Sequence, residues 1–135
     1  MIEGSCHCGA VRYRINGELQ GFVHCHCTTC RKINGTVYGS SAMAAGGALE
    51  VTKGEDDLER YESNPGKRRC FCRRCGSHVF AYWEKTPETA IVRVGTLDSD
   101  PGVLPQAHIW VSHRADWAAI QDDLPRFPEA PKSRG

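Results

Sequence analysis

The sequence lacks a dominant charge. Its formal net charge is +1 over 135 residues, so global electrostatics give no reason to expect a nucleic-acid or anionic membrane partner. It also lacks any run long enough for a membrane span; Ala42 to Leu49 is short and mostly alanine and glycine. Met1-Ile2-Glu3-Gly4 offers neither a basic start nor an apolar stretch, so no signal peptide is expected, and a cytoplasmic, reducing location follows. No internal repeat of fold-defining length and no linker is visible. An apolar share of 40% with 24% charged residues is ordinary for a globular chain and excludes disorder as the general reading.

What is present is cysteine. Eight of them in a reducing compartment read as metal ligands before they read as disulfides. The densest stretch is Cys25-His26-Cys27-Thr28-Thr29-Cys30. A C-x-C step in extended backbone puts both sulfurs on one side. A following C-x-x-C step turns the chain back by about one helical turn, so that the third sulfur converges on the first two. Three converging thiolates suit a soft or borderline metal, zinc above all. No adjacent fourth ligand completes the set. Structural zinc sites are closed by four protein ligands, and catalytic ones keep a position free.

The remaining cysteines divide by spacing. Cys6-His7-Cys8-Gly9 and Cys72-Arg73-Arg74-Cys75-Gly76 form a C-x-C and a C-x-x-C-G knuckle. Each ends in a glycine that lets the backbone turn and aim N–H groups at sulfur. Cys6, Cys8, Cys72 and Cys75 are therefore assigned to a four-thiolate structural zinc, with metal binding coupled to folding. Cys25, Cys27 and Cys30 are assigned to an open, catalytic zinc, giving two ions per chain. The alternative for the second site is closure by Cys70, which shares a strand face with Cys72.

An open three-thiolate zinc is over-neutralised and a poorer Lewis acid than a three-histidine site. It can still hold an incoming thiolate that stays nucleophilic. Thiol chemistry on an electrophile such as an aldehyde is favoured over hydrolysis.

Along the chain, Val11, Tyr13 and Ile15 alternate with Arg12 and Arg14, a half-buried strand. Leu19 to Cys25 reads as the strand that delivers the central motif, and Thr28 as an N-cap of a short turn. Further strands are expected at Thr36–Ala42, Ala48–Thr52, Leu58–Tyr61, Arg68–Cys72, His78–Trp83, Ala90–Leu97 and Ala107–Ser112. Ala115–Ile120 is expected to be the one helix of note. After Leu124 the chain is proline-rich and expected to run extended on the surface. The class is mainly antiparallel β.

Three motifs resemble the glutathione-dependent formaldehyde-activating (Gfa) family, which includes centromere protein V. They are Gly4-Ser5-Cys6-His7-Cys8-Gly9-Ala10-Val11, Cys25-His26-Cys27-Thr28-Thr29-Cys30-Arg31-Lys32 and Phe71-Cys72-Arg73-Arg74-Cys75-Gly76-Ser77. Gly95-Thr96-Leu97-Asp98, His108-Ile109-Trp110-Val111, Trp117 and Leu124-Pro125-Arg126-Phe127 are similar too. The resemblance implies a β-tent (Mss-four-like) zinc-binding fold of antiparallel sheets with little helix. It places one such domain over residues 1–127, with an extended tail over 128–135. It implies a structural zinc on Cys6, Cys8, Cys72 and Cys75, and a catalytic zinc on Cys25, Cys27 and Cys30. The implied activity is that of a carbon–sulfur lyase or synthase acting on thiol–aldehyde adducts such as S-(hydroxymethyl)glutathione, with a small thiol such as glutathione and an aldehyde as partners. Cys70 departs from the family's usual pattern.

Lys67, Arg68, Arg69, Arg73 and Arg74, together with Arg31 and Lys32, read either as a basic rim for the carboxylates of glutathione or as a solvated face. His26, between two ligands, should point away from their shared metal. It reads as a surface or packing residue ahead of a proton carrier. Trp83, Trp110 and Trp117 read as core. The competing function is a non-catalytic, zinc-stabilised binding module for a protein or nucleic acid. Interleaved aromatics for base stacking are missing from the basic cluster.

Overall fold

A computed structural model describes residues 1–130. Ten strands, one short α-helix and three 3-10 turns account for the regular structure of the described residues. The strands are β1 (Ile2–Ser5), β2 (Arg12–Ile15), β3 (Gln20–Cys25), β4 (Gly39–Ala44), β5 (Leu49–Lys53), β6 (Leu58–Asn64), β7 (Lys67–Cys72), β8 (His78–Trp83), β9 (Ala90–Arg93) and β10 (Ala107–Ile109); the helix, α1, is Thr28–Asn34. The chain divides into two compact units. One is Met1–Gln20 with Ala42–Val103, and the other is Gly21–Ser41 with the chain from Leu104 onward.

In the first unit β1, β2 and β5 form an antiparallel three-stranded sheet. The alternation read from the sequence is what builds it: Val11, Tyr13 and Ile15 are all buried. Tyr13 lies opposite Gly4 across the β1–β2 pair. A Cβ at Gly4 would fall 2.3 Å from the Tyr13 ring, so glycine there leaves the space that the ring fills. The ring's hydroxyl is satisfied by Thr96 Oγ1 at 2.6 Å. Strands β9, β8, β7 and β6 are successive neighbours in the other sheet of this unit. The β7–β8 register slips between Cys70 and Phe71. Such a bulge re-aims the side chains around it.

In the second unit β10 pairs with β3 in parallel, setting Ile109 opposite Cys25 and His108 opposite His24. This pair departs from the antiparallel expectation. Val23, Ala107 and Ile109 form its buried core, with Cys25, Trp110 and Phe127 packed against them. The chain around Arg126 runs beside β10 in turn, with His108 N–H bonded to Pro125 O and Phe127 N–H to His108 O. The expected extended tail is thus a pairing segment as far as it is described; residues 131–135 lie outside the described residues.

Some local expectations are corrected. Ala115–Ile120 is not helical; Asp116 and Trp117 make a turn. Asp116, Trp117 and Ile120 are middling helix formers, and six residues are too few to offset helix nucleation. The helix is instead α1, capped not by Thr28 but by Cys27, whose sulfur accepts the N–H of Cys30. Strand Ala90–Leu97 stops at Arg93 and passes into a 3-10 turn at Val94–Thr96. Trp83 and Trp117 are 38% and 74% exposed, not core.

Candidate functional site

Two groups of cysteine sulfurs converge. In the first unit Cys6, Cys8, Cys72 and Cys75 bring their Sγ atoms within 4.8 Å of one another. Cys6 and Cys8 follow β1, and Cys72 ends β7. Gly9 and Gly76 close the two turns at φ 80° and 81°, a region that side chains rarely enter. Backbone N–H groups then face sulfur: Val11 donates to Cys6 at 3.3 Å, and Arg74 to Cys72 at 3.4 Å. His7 N–H donates to Ser77 Oγ at 2.9 Å, tying one turn to the other. The serine hydroxyl beside Cys75 pulls that thiol down to about 5.

The spacing discriminates among bonding modes. Cys6 and Cys8 sulfurs are 3.6 Å apart, and Cys8 and Cys72 sulfurs 3.8 Å. A disulfide would need about 2.05 Å. A tetrahedral ion held at about 2.3 Å by four sulfurs sets them roughly 3.8 Å apart. The donor set and its spacing therefore fit a four-coordinate thiolate metal.

In the second unit Cys25, Cys27 and Cys30 form a group of three under the same limit. Cys25 ends β3, Cys27 caps α1, and Cys30 lies in its first turn, buried. Asn34 Nδ2 donates to Cys30 O at 2.9 Å, and Gly35 ends the helix at φ 62°. Gly39 on β4 keeps the space above Cys30 free: a Cβ there would meet Asn34 Nδ2 at 3.0 Å and Cys30 Cβ at 3.4 Å. The flanking thiols of Cys27 and Cys30, with burial, hold the Cys25 thiol far above its ordinary range. Three ionised sulfurs this close repel one another, and a dication at their centre reverses that sign. This group too can hold a metal ion.

Cys70 belongs to neither group. It is fully buried in the first unit, where desolvation pushes its thiol up to about 11. All eight cysteines are free.

The basic residues near the knuckle are mostly occupied. Arg73 and Arg74 share Asp57 at 3.2 and 2.9 Å, Arg68 engages Glu84 at 2.8 Å, and Lys67 lies over the Trp83 ring. Arg69 is buried and bonded to Ser63 Oγ. Arg31, next to Cys30, has a buried Nε without a hydrogen-bond partner. Arg31 and Lys32 are the basic residues that follow Cys30 in α1.

His26 is not on the surface. It is 1% exposed, and its Nε2 lies 2.8 Å from Nδ1 of His108, whose Nε2 in turn meets the Asp122 carboxylate at 2.9 Å. Burial, with lesser help from His108, pushes His26 down to about 4. Sequence reasoning missed this chain because 82 residues separate the two imidazoles. The one signal was that both fall in motifs resembling the same family.

No helix among the described residues is long and apolar enough to cross a membrane. A family model described as "Glutathione-dependent formaldehyde-activating enzyme" matches residues 1–113. A Halomonas elongata protein named "Putative glutathione-dependent formaldehyde-activating enzyme" is 32% identical over 131 residues, 90% of this chain and 82% of its own length. A Sordaria macrospora protein of the same name is 24% identical over 86 residues, 59% of this chain; the match spans 36% of that longer protein. A crystal structure of a Rhodobacter sphaeroides protein superposes with a TM-score of 0.61 at 29% identity, over 76% of this chain and 97% of that one.

Proposed function

Because the chain belongs to the glutathione-dependent formaldehyde-activating enzyme family, we propose that it makes and breaks a thiol–aldehyde adduct of the S-(hydroxymethyl)glutathione type. In this reading residues 1–127 act as one zinc-binding domain in the cytoplasm, and the reaction is of the carbon–sulfur lyase class. Cys6, Cys8, Cys72 and Cys75 hold a structural zinc, while Cys25, Cys27 and Cys30 hold a catalytic one. The observation that carries the proposal is the convergence of three sulfurs, not four, at the second group.

Zinc held there would keep an incoming thiol ionised at neutral pH while leaving its sulfur nucleophilic. The chain's own residues do the rest. Cys27 turns β3 into α1 and receives the Cys30 N–H at 3.2 Å, which spreads charge off a ligand sulfur and fixes its direction. Arg31 offers a donor to a substrate carboxylate, and Arg suits a bidentate grip. In the forward direction the thiolate sulfur bonds to the aldehyde carbon. The carbonyl π pair moves to oxygen, which takes up a proton, and the reverse step returns aldehyde and thiolate.

Exchange NMR of glutathione mixed with formaldehyde tests this reading. Zinc-loaded protein is expected to speed interconversion above the spontaneous rate, and Cys30→Ser to return it to that rate. No acceleration by protein carrying two zinc ions would leave the domain a metal-pinned binding module.

A further inference from the structure

A cavity of about 370 Å³ lies wholly within the first unit, and none of its lining residues is a cysteine. Strands of two sheets supply its walls. Phe80 and Tyr82 stand two apart on β8 and so share one face of the long sheet. Val92 pairs with Phe80, and Ala90, two residues earlier on β9, joins the same face. Leu49 and Val51, again two apart, come from β5, an edge strand of the three-stranded sheet. Phe80 and Ala90 are buried, whereas Leu49, Val51 and Tyr82 are only partly covered. A protein interior packed to ordinary density leaves few gaps wider than a water molecule. This gap has the size of a small-molecule site and the apolar, aromatic walls typical of one.

The rim carries the charge. Glu55 and Arg60 pair with each other. Arg68, which lies across β7–β8 from Tyr82, is paired with Glu84. Glu88 also lines the cavity, and it makes no ion pair among the described residues. Its backbone carbonyl accepts the Gly47 N–H at 2.8 Å, which fastens the loop after β8 to the chain just before β5. Glu55, Arg60 and Glu88 together leave one net negative charge. An anion would face Glu88 and would have to draw Arg60 away from Glu55. A cation meets Glu88 with no pair to break, beside aromatic rings whose faces attract positive charge. The Tyr82 hydroxyl both donates and accepts, so it does not discriminate by charge.

We propose that this slot binds a small organic cation, an ammonium group on an apolar body, with the body between β5 and β8 and the charge at Glu88. Neither cysteine group contributes to it, so it stands or falls apart from the reaction proposed above.

The test uses zinc-loaded full-length protein and follows the methyl resonances of Leu49, Val51 and Ala90 at pH 7. Its probes are benzylammonium, benzyl alcohol and benzoate, alike in shape and differing in charge. Benzylammonium should move these methyls saturably. Benzyl alcohol should bind about fivefold or more weakly, the worth of one exposed ion contact and its aromatic share, and benzoate more weakly still. Glu88→Gln, a change at an exposed side chain, should bring benzylammonium down to the level of benzyl alcohol. Val51→Trp, on a partly exposed edge position, should fill the slot and abolish the Ala90 shift with every probe. The proposal is overturned if no probe saturates at these methyls, or if benzoate binds as tightly as benzylammonium. It is equally overturned if Glu88→Gln leaves the preference for the cation intact, or if folded Val51→Trp still shows the Ala90 shift.

Discussion

Cys27 Sγ accepts the backbone N–H of Cys30 at 3.2 Å, so one sulfur both caps α1 and belongs to the second cysteine group. Seven residues make a marginal helix, and a lost side-chain cap costs about 1 kcal/mol. Cys27→Ser keeps an oxygen that can cap, whereas Cys27→Ala keeps none. Both variants are expected to lose the second metal. The alanine variant should be about 1 kcal/mol less stable than the serine variant in denaturant titration. Equal stabilities would mean that the cap contributes nothing.

Cys70 and Cys72 should answer to substitution differently, although both are 0% exposed on one strand. Cys70→Ser places a hydroxyl in an apolar site and should cost about 1–3 kcal/mol, with the metal count unchanged. Cys72→Ser removes a ligand of the four-sulfur group. Structural zinc binding is worth on the order of 10 kcal/mol, so that variant should lose a metal and fail to give a cooperatively folded first unit. Metal analysis beside thermal melts of the two proteins decides it.

The cysteine groups were legible in the sequence because each motif is local: C-x-C and C-x-x-C-G carry their own turn geometry, and Gly9 and Gly76 supply it. Val11, Tyr13 and Ile15 were legible for the same reason, their period matching the pleat. What local pattern could not supply was partner choice. The parallel pairing of Ala107–Ile109 with β3, and the meeting of His26, His108 and Asp122, depend on segments far apart in the chain. The helix expected at Ala115–Ile120 is absent although Ala115 and Ala118 are buried, because six residues do not offset the cost of nucleation. Cys27 displaced Thr28 as cap because the turn from β3 into α1 already aims its sulfur at the Cys30 N–H.

Acid should expose the cost of burying His26. Its folded-state value, about 4, lies below the ordinary 6.5, so the unfolded chain takes up its proton first. Stability from keeping this ring neutral is fully present above about 6.5 and is lost as pH falls through about 4. His26→Gln is expected to flatten the pH dependence in that window relative to the unaltered protein. Unchanged slopes in parallel urea melts between those values would contradict the burial argument.

Gly39 guards the second group from above. Gly39→Ala should press on Asn34 and Cys30, costing about 1–3 kcal/mol as overpacking does. It should release the metal of the three-sulfur group more readily to a chelator, without altering that of the four-sulfur group. Two metals released at unchanged rates would show that the helix yields freely.

Zinc-edge X-ray absorption on the metal-loaded protein, with and without glutathione, tests the open three-sulfur centre most directly. The account predicts two zinc ions, with an average shell of three and a half sulfurs and half a light atom, rising to four sulfurs each when glutathione is added. Four sulfurs around both ions before any thiol is added, or a single ion per chain, would contradict it.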